Sequence, residues 1–383
     1  MITKYHTAIV RANMGLSEVT RFLPATARAS VAVPGGGCEV QELPVPTPGP
    51  DSGWLRVAAS GVCGTDVALQ ARGVAEPTVL GHHVVGAIAA VGERAAGRWE
   101  VGSGSRVVVE EYLPCGACPT CRTGPYRLCP ETDIWGGGRR IGTVPVAEAP
   151  GLFGGNAEYL HLPANAVLHH LPDALGDELA TWVLPYANAL DWTLGAGRLR
   201  SGETVVVLGP GYHGVAVAAA ALAGGAERVI VTGLPCDAER LGIVETLGAV
   251  PVVTDDPARL ESERPDLVVD TTGGAPGVVD PAMGLLGHGG RLVLTSPKSP
   301  AAVPVDTALM IRRGVSVHGV RGRSPEAVGA AIAALAGGDS RLDRVPVATV
   351  PLDGVGDMLA RLALGDGPRS PHVLVRPHHH TTS

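Results

Sequence analysis

A short run of branched apolar residues, Thr204 to Leu208, passes directly into Gly209-Pro-Gly211-Tyr-His-Gly214 and then into the alanine-rich stretch Val215 to Ala223. No other feature restricts the fold so tightly. A strand, a G-x-G-x-x-G turn and a helix in that order open a dinucleotide-binding unit. Gly209 permits the tight turn, Gly211 lets the backbone approach a pyrophosphate, and Gly214 lets the helix pack closely on the strand. Free N–H groups at the helix start would hold the phosphates. From about Leu179 to Ser324 short buried strands alternate with Ala/Leu-rich segments, as in Arg228-Val-Ile-Val followed by Ala238 to Leu247. That alternation predicts a parallel sheet with covering helices.

The flanking regions have a different texture. From Ser30 to about Leu162, short Val/Ile/Leu runs are cut by Gly and Pro, which predicts an antiparallel, barrel-like domain. The stretch from Pro325 to Pro377 holds a helix-like Ala327 to Leu335 and strands at Val345 to Val350 and His372 to Val375, expected to pack back onto the first domain. The chain is therefore divided into an extension (1–28), a first domain (29–180), a parallel-sheet domain (181–324) and a C-terminal return (325–383). A length of 383 residues suits two domains, and 45% hydrophobic against 17% charged excludes a disordered chain. With a net charge of −7 and no basic run, nucleic acid is a poor partner, and a small molecule is expected instead. No apolar run reaches the roughly 18 residues of a membrane span, and Met1 to Ala27 lacks the apolar core of a signal peptide. A cytoplasmic location is expected. His378, His379 and His380 read as a mobile end rather than a metal site.

Four of the seven cysteines follow the pattern Cys115-x2-Cys118-x2-Cys121-x7-Cys129, within a lobe placed at 110–132. In a reducing compartment this spacing suits a closed tetrahedral zinc site that stabilises the lobe, with an iron–sulfur cluster as the rival. Cys38 and Cys236 have no partner pattern and read as inert. The second strand of the parallel sheet ends at Val231-Thr232-Gly233, without the carboxylate that usually receives the ribose of NAD. Thr232 and Arg240 could accept a 2′-phosphate, which favours NADP over NAD, although Asp237 could still serve a ribose. A further constellation joins Gly61-Val-Cys63-Gly-Thr65-Asp66 to Gly81-His82-His83-x2-Gly86: a soft thiolate, two imidazoles and a hydroxyl.

Taken in order, the Cys63 motif, the His82 motif, the cysteine lobe and the Gly209 to Gly214 loop give a chain that resembles the zinc-dependent medium-chain dehydrogenase/reductase superfamily, the alcohol, polyol and threonine dehydrogenases. The resemblance runs from Ala29 to Val375. It implies a GroES-like β-barrel catalytic domain plus a Rossmann domain with the cofactor in the cleft, and homodimers or homotetramers. It also implies Cys63 and His82 as catalytic zinc ligands, Thr65 as the hydroxyl that hands a proton to the substrate oxygen, and Asp66 as the group orienting a ligand histidine. Asp270, Thr295 and Ser296 would line the nicotinamide half of the site, with Asp270 equally able to fix a strand end instead of touching ribose.

Four departures qualify it. His83 stands where the family usually has a glutamate, and it could still ligate zinc. The third-ligand position falls at Leu184, which cannot coordinate. Ala68 replaces the proton-relay histidine of many relatives. His213, within the glycine loop, can approach the cofactor but is expected to face solvent rather than to catalyse. Tyr186, Asn188 and Trp192 read as packing more than as substrate contacts. Three readings stay open: a zinc-dependent alcohol/carbonyl oxidoreductase acting on a polyol, an aminocyclitol or a specialised metabolite; a reductase of activated C=C or C=N bonds that has lost the catalytic metal and uses NADPH; and a nucleotide-binding protein without turnover.

Overall fold

The computed structural model describes residues 23–299 and 301–378. Most of the 1–28 extension and two of the three tail histidines, His379 and His380, lie outside the described residues. Six strands form one parallel sheet in the order Val250–Val253, Arg228–Gly233, Thr204–Leu208, Leu267–Asp270, Arg291–Leu294, Ser316–Gly319. Successive connections run outward in opposite directions from Thr204–Leu208, so the chain switches direction at that strand. In such sheets the crevice at the carboxyl ends beside the switch is where ligands bind. The Gly209 to Gly214 turn sits there. Gly209 has φ +96°, and a Cβ on Gly214 would lie 1.9 Å from the Gly209 carbonyl oxygen, so neither position admits a side chain without a shift.

The other large sheet is antiparallel except at its C-terminal edge. Gly53–Gly61 pairs with His83–Val91 and with Tyr159–Leu162; His83–Val91 pairs in turn with Arg106–Val109, and that strand with Leu168–His170. His372–Val375 pairs antiparallel to the end of Gly53–Gly61, with Leu374 opposite Gly61, and parallel to Val347–Val350. The last stretch thus closes onto the first sheet. A smaller sheet, Cys38–Pro44, Thr26–Ala32 and Thr78–Val79, covers one end. The GroES-like plus Rossmann architecture expected from the sequence is the one observed.

One apolar core spans both sheets. Ala59, Val85 and Val108 from the antiparallel sheet pack in the same cluster as Trp182, Tyr186, Val205, Val215 and Leu374. The helix Val183–Leu190 carries much of this core. It continues into a widened π-helical turn, Asp191–Ala196, of the kind often found beside functional sites. From that turn Trp192 Nε1 donates to the Gly322 carbonyl at 3.0 Å, and Asp191 accepts from the Ser324 backbone N–H at 2.5 Å, which ties the helix to the far side of the cleft.

Candidate active site

Cys63 caps the helix Gly64–Arg72, and the helix's first turn places Asp66 beneath it, 1% exposed. One carboxylate oxygen of Asp66 accepts the Cys63 backbone N–H at 2.9 Å. The other accepts the Gly81 N–H at 3.1 Å and lies 3.1 Å from His82 Nδ1. A carboxylate can only accept, so Nδ1 carries the proton and Nε2 keeps its lone pair. One buried acid therefore joins two turns nineteen residues apart and fixes the tautomer a metal would require. Gly81 makes the second turn possible: its φ is +93°, and a Cβ there would come within 2.5 Å of Asn156 Oδ1. Burial opposes charge on His82, yet Asp66 raises its pKa well above the usual histidine value.

His83 opens the strand His83–Val91 and is 2% exposed, with its ring 4.5 Å from that of His82. Its Nδ1 is buried and has no hydrogen-bond partner among the described residues. Burial, and then the neighbouring His82, hold its pKa well below the usual value, so it is neutral and able to ligate. One donor atom each from Cys63, His82 and His83 lies within 4.8 Å of the others. With zinc displacing any second proton from His82, a soft thiolate and two imidazole nitrogens are a fitting donor set with one position open. Leu184 is fully buried in the core, as its chemistry requires, and offers no ligand. Thr65 Oγ1 lies 4.0 Å from Cys63 Sγ, and Ala68 faces a separate groove shared with Gly211, Tyr212 and Arg240.

These residues floor a cavity of about 500 Å³ between the two sheets, also walled by Thr295, Ser296 and Lys298. His213 needs correction. It belongs to the first turn of the helix Tyr212–Ala223, not to a solvent-facing loop, and its ring stands 5.2 Å from Trp192 and 6.1 Å from His83. Its Nε2 lies 3.4 Å from Asn188 Nδ2, and burial, followed by His82 and Arg323, lowers its pKa to about 4. The loop expectation failed because the helix begins at Tyr212, which turns the next side chain inward. The packing assignment also divides: Tyr186 is core, whereas Asn188 and Trp192 line the cavity.

Asp270 does not line the cavity. It is fully buried, accepts from Thr272 N and Oγ1 at 3.0 and 2.6 Å, and pairs with Lys298 Nζ at 2.5 Å. It therefore fixes the strand end and presents Lys298, while Thr295 and Ser296 reach the cavity wall itself. At the other end of the cofactor crevice, Thr232 is buried and followed by Gly233. Asp237 accepts the Leu234 N–H at 3.1 Å and lies 3.6 Å from Arg240, so its carboxylate is largely engaged.

The cysteine lobe lies beside the cavity on short helical turns. Cys115, Cys118, Cys121 and Cys129 bring their sulfurs within 4.8 Å of one another. The N–H groups of Ala117 and Cys118 point at Cys115 Sγ, at 3.4 and 3.3 Å, and lower its pKa; the Thr120 hydroxyl, 2.9 Å from Cys118 Sγ, lowers that thiol to about 6. Donors aimed at sulfur favour thiolates, the form that binds zinc.

A charged layer that no spacing rule predicts joins lobe and cleft. Arg323, fully buried, contacts Glu111 through Nη2, lies 3.4 Å from Glu110 through Nε, and donates from Nη1 to Asn188 Oδ1 at 3.1 Å. Glu110 also accepts from Tyr126 of the lobe and faces His169 Nε2 at 2.7 Å. Burial works against a charged Glu111, but Arg323, His82 and Arg140 hold its carboxyl at about 2. Adjacent glutamates after a strand were the only local signal.

With this geometry established, likeness to known proteins becomes informative. Residues 49–173 match the alcohol dehydrogenase GroES-like domain family, and 214–337 match the zinc-binding dehydrogenase family. A probable alcohol dehydrogenase of Mycobacterium tuberculosis is 36% identical over 338 residues, covering 85% of this chain and 91% of the relative. The L-threonine 3-dehydrogenase of Pyrococcus horikoshii is 31% identical over 306 residues, covering 76% and 81%. Among solved structures, an alcohol dehydrogenase from Thermus sp. ATN1 superposes with a TM-score of 0.78 at 27% identity, covering 91% of this chain and 99% of that one.

Proposed function

The chain belongs to the zinc-binding alcohol dehydrogenase family, a class of NAD(P)-dependent oxidoreductases, and from that premise we propose that it interconverts an alcohol and its carbonyl at a zinc held by Cys63, His82 and His83. The observation that carries this reading is the convergence of those three donor atoms within 4.8 Å, with His82 Nδ1 already committed to Asp66. When bound, the metal would polarise the substrate oxygen and the dinucleotide would exchange the hydride. The chain's own residues set the geometry for both. Asp66 locks His82 and the Cys63 turn together, so the donor atoms are preorganised. Thr65 Oγ1, beside Cys63, is placed to accept the hydroxyl proton of the alcohol during oxidation while its own O–H proton would pass on to a cofactor hydroxyl, the relay running in reverse during reduction.

The crevice wall does the rest. The Gly209 to Gly214 turn would receive the pyrophosphate, Thr295 and Ser296 would face the nicotinamide side, and Trp192 with His213, rings 5.2 Å apart, lines the same cavity. The alternative of a reductase without the catalytic metal is not favoured, because the intact Asp66–His82 pair and the unpartnered His83 nitrogen have no other evident use. Leu184 is compensated by His83, which supplies the third donor from the strand beside it. Zinc content per chain tests this reading. Two zincs are expected in the parent, with one lost in Cys63→Ala and the other in Cys115→Ser; a single zinc, untouched by Cys63→Ala, would overturn the proposal.

A further inference from the structure

Two guanidinium groups from opposite sides of the cleft converge at the same cavity. Arg140 stands just beyond the cysteine lobe, and Arg321 follows the edge strand Ser316–Gly319 of the parallel sheet; both line the cavity. They share one acceptor. Arg140 Nε donates to the Thr132 carbonyl at 2.6 Å, while Arg321 Nη2 donates to that carbonyl at 2.7 Å and to Thr132 Oγ1 at 2.8 Å. An arginine carries five N–H donors, so most of this pair's capacity is left over. Arg140 Nη2 and Arg321 Nε are buried without a hydrogen-bond partner among the described residues.

Among the described residues no carboxylate is hydrogen-bonded to either guanidinium, although the charge of Arg140 is felt at Glu111. The closest to Arg321 is Asp133, at 3.8 Å from Nη1, beyond hydrogen-bond range. Glu111 lines the same cavity but is taken by Arg323. The guanidinium carbon of Arg140 instead lies over the rings of Tyr112 and Trp135, 5.1 and 5.5 Å from their centroids. Burial and then Arg140 lower the pKa of Arg321, the sign of two like charges kept close in a partly dry setting. Such an arrangement is unfavourable unless an anion completes it.

We propose that Arg140 and Arg321 recognise an acidic group on the substrate, so that the alcohol or carbonyl compound carries a carboxylate or a phosphate at the end remote from the carbon that exchanges hydride. This rests on the dehydrogenase reading of Cys63, His82 and His83, which places the reacting carbon at the floor of the cavity that the two arginines share. Leu128, Trp135 and Val303 provide apolar wall for the chain between. An uncharged alcohol would leave both guanidiniums unpaired in the cavity, and sites built around polar groups discriminate strongly against analogues that lack the partner.

The test uses zinc-loaded enzyme with NAD(P)⁺ and compares ω-hydroxycarboxylates, ω-hydroxyalkyl phosphates and simple alkanols of equal chain length. For the parent, kcat/KM for one acidic series should exceed that for the alkanols by at least about tenfold, the scale of one hydrogen bond to a charged group. Added salt should erode that ratio. The ratio should fall towards unity in Arg140→Gln and Arg321→Gln and be partly retained in Arg321→Lys. The better of the two acidic series identifies the group. A parent ratio near unity, a ratio insensitive to both glutamine variants, or equal losses on acid and alkanol would overturn the proposal, the last marking a structural clasp on Thr132. Calorimetric titration of the cofactor-loaded enzyme with hexanoate and hexyl phosphate separates the two readings. Binding that disappears in Arg321→Gln, in an enzyme that oxidises no alcohol, keeps the anion site and refutes the dehydrogenase reading. Failure of both anions to bind refutes the anion site.

Discussion

The cysteine lobe and the cleft each bring metal-ligating side chains within 4.8 Å, yet they are assembled in opposite ways. In the lobe the four donors come from fifteen consecutive residues, carried on short turns, and Cys115 is exposed. In the cleft Cys63 and His83 are buried, the donors come from a helix cap and a strand end, and a shared carboxylate holds the two pieces in register. A lobe with no sheet and little core of its own would depend on a bound metal for structure. The cleft has the two large sheets to hold it, which would leave a metal bound there free to serve chemistry. The contrast predicts that damage to the lobe appears first as lost stability and damage to the cleft first as lost turnover.

The largest effect expected is therefore in the lobe. Cys115→Ser should lower Tm by at least about 5 °C, more than Cys63→Ala does, because a structural zinc contributes folding free energy directly. Equal Tm values for the two variants would erase the distinction drawn between the sites. A second, intermediate effect sharpens the cleft side: Asp66→Asn removes the charge behind His82 while keeping its shape, and should reduce kcat/KM about 10- to 100-fold. Activity within about twofold of the parent would mean that Asp66 only caps the helix.

The smallest effect concerns the interface between the sheets. His372 is fully buried, stacks on Tyr212 with rings 5.4 Å apart, and its Nε2 lies 2.8 Å from Thr181 Oγ1. The Thr181 hydroxyl donates to the Glu178 carbonyl, so Nε2–H is the donor to Thr181 and Nδ1 carries no proton. Burial lowers the His372 pKa from the usual 6.5 to about 3. A histidine kept neutral in the folded state stabilises fully above pH 6.5, and that stabilisation is lost as pH falls from there towards 3, by at most about 1.4 kcal/mol per pH unit. His372→Gln should flatten the decline of Tm between those limits; an unchanged slope would remove His372 from the acid response.

Much of the site was legible because local geometry writes it into local spacing. The Gly209 to Gly214 turn, the four cysteines and the Asp66 cap each obey rules that span a few residues, and the matching structural features lie where the motifs stand. His213 departs from the loop expectation for a local reason, since the helix begins at Tyr212, three residues before the Val215 start that the glycine pattern predicts. For Asp270 the sequence leaves a strand-end anchor and a ribose contact equally open, because its partner Lys298 is on the next strand's loop and no spacing rule connects them. Glu110, Glu111 and Arg323 escaped notice altogether, because 212 positions separate Arg323 from Glu111.

By itself the sequence determined the two-sheet architecture, the dinucleotide crevice and the cysteine lobe, since each follows from backbone sterics or ligand chemistry within a short segment, while the Cys63–His82 pair followed from the family resemblance. Only the tertiary structure decided that His83 lies within 4.8 Å of the Cys63 and His82 donors, that Asp270 serves Lys298, and that Arg140 and Arg321 meet on one carbonyl. Those outcomes depend on which distant segments share a buried volume. There an unpaired charge or an unpartnered nitrogen is costly enough to mark a site, whereas in the linear chain it is one polar residue among many.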